Sequence, residues 1–112
     1  MKKAIALSAV LTDEGGGFAL FALLNLGIIE SLASGALGAT EAVRLFYNAD
    51  NCLFVRKHVR DKIADRLMSH GCQVADLFDA LPAEEAHREF RRELEIMRSL
   101  CRQLLEKAQL AA

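Results

Sequence analysis

The stretch TDEGGGFALFALLNLGII, residues 12–29, decides how the chain is read, because it admits three physical interpretations. A phosphate-holding loop needs glycines that let backbone amides converge on an anion, with a lysine and a hydroxyl at fixed offsets. Gly15, Gly16 and Gly17 are instead preceded by Asp13 and Glu14 and followed by Phe18 and Ala19. Two carboxylates would repel the ligand. A membrane span needs about 20 apolar residues, whereas the charge-free run from Gly15 to Ile29 has 15 and ends at Glu30. The remaining reading is a helix over 16–34, capped by Thr12 or Asp13, with Phe18, Leu20, Phe21, Leu23, Leu24, Leu26, Ile28 and Ile29 distributed around its whole circumference. A helix apolar on every side belongs at the centre of an assembly. Gly15, Ala19 and Ala22 share one side, where small side chains let another helix come close.

A chain of 112 residues buries only about two thirds of its unfolded surface, too little to wrap such a helix completely. Part of its face is therefore expected to be covered by a second copy of the chain or by another protein, since large exposed apolar patches mark interaction sites. Asn25 lies on the stripe of Phe18, Ala22, Ile29 and Leu32. Without partners there its amide would cost about 1–3 kcal/mol. The sequence leaves two solutions open: bonding to neighbouring backbone or a buried water within the chain, or pairing across an interface to fix register.

The rest of the composition narrows the classes. With 53% hydrophobic and 26% charged residues and one proline, the chain is globular rather than disordered. Its formal net charge of −1 gives no global attraction to nucleic acid or anionic lipid. Cys52, Cys72 and Cys101 are odd in number and lack C-x-x-C spacing, which argues against a disulfide framework or zinc ribbon and fits a cytoplasmic setting. MKKAIALSAVL, residues 1–11, has a short apolar run without a small-residue cleavage pattern. It reads as a segment that packs on the domain rather than a signal peptide, with residues 4–11 leaning towards helix.

Downstream, Gly35 and Gly38 end the first helix, and Thr40 is placed to cap a second over 41–48. Asp50 or Asn51 would cap a third over 51–70 that stops at Gly71. Pro82 would occupy the first position of a fourth over 83–108. In that last helix Phe90, Leu94, Met97, Cys101 and Leu104 recur at steps of four and three, a core-facing stripe, opposite a solvated face of mixed charge. The expectation is one all-α domain over 1–112, a bundle of four main helices.

Candidate chemistry is sparse. The third helix carries Arg56, Lys57, Arg60, Lys62 and Arg66 against Asp61 and Asp65. That is a basic edge at Arg56, Lys57 and Arg60, but the charges do not share one face, so nucleic-acid binding is a rival reading only. Cys52 in a first helical turn would have its thiolate favoured by the helix dipole, yet it lies on the apolar side with Val59 and Ile63. His58 with Asp61 and Asp65 falls along one side of the third helix. Glu84 and His87 form a single E-x-x-H, and a di-iron bundle needs two. No cofactor or metal is therefore expected. The sequence reading is a non-enzymatic interaction or regulatory module, a cytoplasmic homo-oligomer that engages no membrane. Its contact residues would be Phe18, Phe21, Leu24, Asn25, Ile28 and Tyr47. The alternatives are a nucleic-acid-binding regulator or a small metal or thiol protein using Cys52, His58 or His87.

Overall fold

The long C-terminal stripe organises the molecule. A computed structural model of the chain describes residues 4–11 and 17–111, so the expected caps at Thr12 and Asp13 lie outside the described residues. These form seven α-helices and one π-helical turn: α1 (Leu7–Val10), α2 (Gly17–Ser34), α3 (Ala39–Leu45), α4 (Ala49–Phe54), the π turn (Val55–Val59), α5 (Lys62–Gln73), α6 (Asp76–Ala80) and α7 (Ala83–Ala111). Together they build one all-α globule. At 29 residues, α7 should be about 43 Å long, which accounts for the longest dimension of the molecule, 44 Å.

Helix α7 turns Ala86, Leu94, Met97, Leu100, Cys101 and Leu104 inward, and two helices pack antiparallel along it. For α2 the direction follows from two pairs: Phe18 lies beneath the Lys107 ammonium, 5.4 Å from ring centre, and Glu30 meets Arg98 at 2.7 Å. For α5, Asp61 pairs with Lys107 and His70 Nδ1 lies 2.7 Å from Glu93. The short helix α6 covers the start of α7, with Phe78 edge-on to Phe90 and His87 at 5.2 Å each.

The expected third helix is broken. Arg60 adopts the left-handed conformation (φ 55, ψ 50), its N–H closing a π-type bond to Val55 O at 3.1 Å. Asp61 then runs extended, and its carboxylate accepts from Ile63 N and Ala64 N, so it is the N-cap of α5. Other caps shift as well. Gly38 rather than Thr40 precedes α3, with Glu41 reaching back to its N–H, and Asn48 rather than Asp50 or Asn51 caps α4 by accepting from Asn51 N. Pro82 stands just before the first turn of α7, its carbonyl accepting from Ala86 N. Gly35, at φ +81, does end α2.

Gly71 does not stop its helix; it lies inside α5, facing the Tyr47 ring, where an added Cβ would overlap ring carbons. The N-terminal segment has no regular structure over 4–6, with Ala6 extended, and is helical for one turn. Asn51 staples it down: its Oδ1 accepts from Leu7 N (3.0 Å), while its Nδ2 donates to Ile5 O and Phe46 O (2.8 Å each). Leu7 is fully buried as a result.

Candidate functional site

One side of α2 faces the core and the other does not. Phe21, Ala22, Asn25, Ile28, Ile29 and Leu32 are buried, fixed by α7 and the α3–α4 region. Around the opposite side, Leu23 is 56% exposed and Leu20 40%. Leu24 beside them is half-buried and Gly27 is open, with nothing within 4 Å of where its Cβ would stand. Leu20, Leu23, Leu24 and Gly27 thus form one outward stripe at helical spacing. Glu30, Ser31 and Ser34 continue it in polar form towards the C-terminal end.

The residues expected from the sequence to make contacts fall on both sides of this division. Phe21, Asn25, Ile28 and Tyr47 are sealed inside the chain and cannot meet a partner without opening the core. Phe18 is half-buried under Lys107, and Leu24 borders the outward stripe. The large apolar side chains that α2 leaves exposed are Leu20 and Leu23, neither of them among the expected contacts. Periodicity alone could not select them, because nearly every side of the helix is apolar and only the tertiary packing tells inward from outward.

Asn25 takes the intrachain solution. Its Nδ2 donates to Phe21 O at 2.9 Å and its Oδ1 accepts from the Tyr47 hydroxyl at 3.0 Å. Burial, with the thiols of Cys101 and Cys72 nearby, holds the Tyr47 phenol well above its ordinary value of 10, so it remains a donor across the neutral range. Tyr47 joins α2 to α5, with its hydroxyl on Asn25, its ring on Gly71 and its carbonyl accepting from Cys72 Sγ at 3.3 Å.

Arg56, Lys57 and Arg60 are all exposed, but they sit on the π turn and its left-handed end rather than on a straight helix. Arg60 Nε donates to Lys57 O at 3.1 Å, which ties one of the three back onto its own segment. His58 stacks on Phe54 at 4.8 Å. Because Asp61 lies beyond the break and is committed to its cap and to Lys107, the expected alignment of His58, Asp61 and Asp65 does not exist. Among the described residues no cluster of three His, Cys, Asp or Glu side chains has metal-binding geometry. Glu84 and His87 line a shallow depression of about 460 Å³ with Ala83, Arg88 and Arg91, all from α7.

Cys52 and Cys72, 20 residues apart in sequence, meet with their sulfurs 3.1 Å apart. Burial, followed by the contact with Cys72, pushes the Cys52 thiol up to about 12. Burial alone pushes Cys101 up to about 12 as well. Neither cysteine resembles an activated nucleophile, which requires a lowered value. Compared with known proteins, the chain matches no family model, no curated protein and no solved structure.

Proposed function

We propose that this chain is a non-enzymatic helical interaction module that self-associates through the outward stripe of α2, formed by Leu20, Leu23, Leu24 and Gly27. The observation that carries this reading is the exposure of Leu20 (40%) and Leu23 (56%) on a helix whose other side is locked into the core. Large aliphatic side chains grouped on one rigid helix favour burial by about 1.5–3 kcal/mol each, and Gly27 among them lets a second helix approach. In this reading α2, α3, the α4–α5 unit and α7 act as the four structural members of the bundle. An 18-residue helix, about 27 Å long, presents less than the roughly 800 Å² per partner of a standard interface. The association is accordingly of micromolar strength, a module that assembles and disassembles with concentration, in a cytoplasmic setting.

Helix α2 is also long and apolar enough to cross a membrane by length and composition. The core argues for the association instead. Phe21, Ile29 and the Asn25–Tyr47 hydrogen bond weld the helix to its own chain, and insertion would expose that core and place the Asn25 amide in hydrocarbon.

Sedimentation equilibrium on wild type and on the Leu20→Glu/Leu23→Glu double variant tests the proposal. Wild type should populate dimer at tens of micromolar, and the variant should be monomeric, melting where dilute, monomeric wild type does. Wild type that stays monomeric at several hundred micromolar would refute it. Co-flotation of wild type with neutral phosphatidylcholine vesicles would favour the membrane reading. Association that weakens steeply with salt in the presence of oligonucleotide would favour the basic segment at Arg56, Lys57 and Arg60.

A further inference from the structure

We propose that Cys52 and Cys72 are a reversible dithiol–disulfide pair whose oxidation fastens α4 to α5 across the break at Arg60. The two sulfurs lie 3.1 Å apart, so a bond of about 2.05 Å asks for a movement of about 1 Å. Cys72 Sγ is held in place by its hydrogen bond to Tyr47 O at 3.3 Å. Both residues are half-buried, whereas Cys101 is fully buried in the α7 stripe, so a small reagent reaches the pair and not the third thiol. The link would span the π turn and the left-handed Arg60, the segment where the helical ladder is interrupted. A covalent tie there restricts the unfolded chain and the local opening of the break together.

The oxidant is a small-molecule disulfide. One cysteine loses its proton and attacks a sulfur of the reagent, breaking its S–S bond and releasing one small thiol. The second cysteine then attacks the protein sulfur of the mixed disulfide and releases the second small thiol. Two protein thiols become one disulfide, and one reagent disulfide becomes two thiols. Burial and the contact with Cys72 push the Cys52 thiol up to about 12, so attack by Cys52 in the folded protein is slow at neutral pH and quickens as pH rises.

The chain of 112 residues is equilibrated with oxidised and reduced glutathione at about pH 8.5, and in parallel refolded from urea in the same buffer so that slow access does not hide the bond. Free thiols are then trapped by alkylation in denaturant, which opens Cys101 as well, and the peptides mapped by mass spectrometry. The expected result is loss of two hydrogens from the intact mass, a Cys52–Cys72 peptide link, one alkylated thiol at Cys101, and a melting temperature raised by roughly 5–15 °C that returns on adding thiol. Cys52→Ser and Cys72→Ser each abolish the shift, and Cys101→Ser keeps it. Three alkylated thiols at the most oxidising ratio, a stable glutathione adduct without the link, or a link between two chains would each overturn the proposal. The result is independent of dimer formation through α2.

Discussion

Tyr47 and Gly71 illustrate how much of this molecule is decided by single side chains. The phenol ring occupies the space a Cβ at position 71 would need, and its hydroxyl supplies the hydrogen bond that makes Asn25 tolerable in an apolar core. Replacing Gly71 with Ala should cost about 1–3 kcal/mol, the usual penalty for forcing volume into a packed interior. Against Tyr47→Leu the same substitution should cost markedly less. Urea unfolding of the four proteins in the double-mutant cycle measures both. Asn25 and Gly71 were legible to different degrees. Asn25 stood out from its apolar stripe as an amide that needed partners, although its partner Tyr47 came from a distant turn. Gly71 looked like a helix stop because the sequence signal is the same whether glycine supplies a left-handed cap or room for a ring. Only the position of Tyr47 tells the two apart.

Among the elements, α2 and α7 were readable because their apolar patterns persist over many turns, with Gly35 and Pro82 marking their ends. The break between the π turn and α5 was hidden. It has neither glycine nor proline, and Asp61 is embedded in basic residues that suggest a charged helix face rather than a cap. Arg60 bears the left-handed conformation at a cost of order 1 kcal/mol. Arg60→Gly should therefore be neutral or stabilising by up to about 1 kcal/mol, whereas glycine inside an unbroken helix would destabilise by about that amount. Thermal melts give the sign directly. For Asp61, burial pushes the carboxyl up, but Lys107 and the amides of Ala64 and Ile63 more than offset it and hold it below its ordinary 3.8. A carboxyl lowered in the folded state contributes stability above its unfolded value, and that contribution is lost as pH falls through the folded one. Asp61→Ala should thus cost about 1–2 kcal/mol at pH 7, and the gap from wild type should narrow as pH is lowered below the ordinary carboxyl value of 3.8. Denaturant titrations at the two pH values check it.

At the scale of the whole molecule, the balance between chain length and apolar surface governs behaviour. The chain has enough material to enclose one side of α2, using α7 and the Tyr47 region, and Leu20 and Leu23 remain outside. The excess of apolar surface was visible in the sequence as a helix without a polar face. Which residues carried the excess was not, because it depends on where α7 lies. The chain contains no tryptophan, so Leu23→Trp places one reporter at the centre of the outward stripe. Its emission should shift to shorter wavelength, with a midpoint in the micromolar range, as protein concentration rises from about 1 to about 200 µM. Emission that stays at the wavelength of a water-exposed indole across that whole range would contradict the claim that a second copy covers this face.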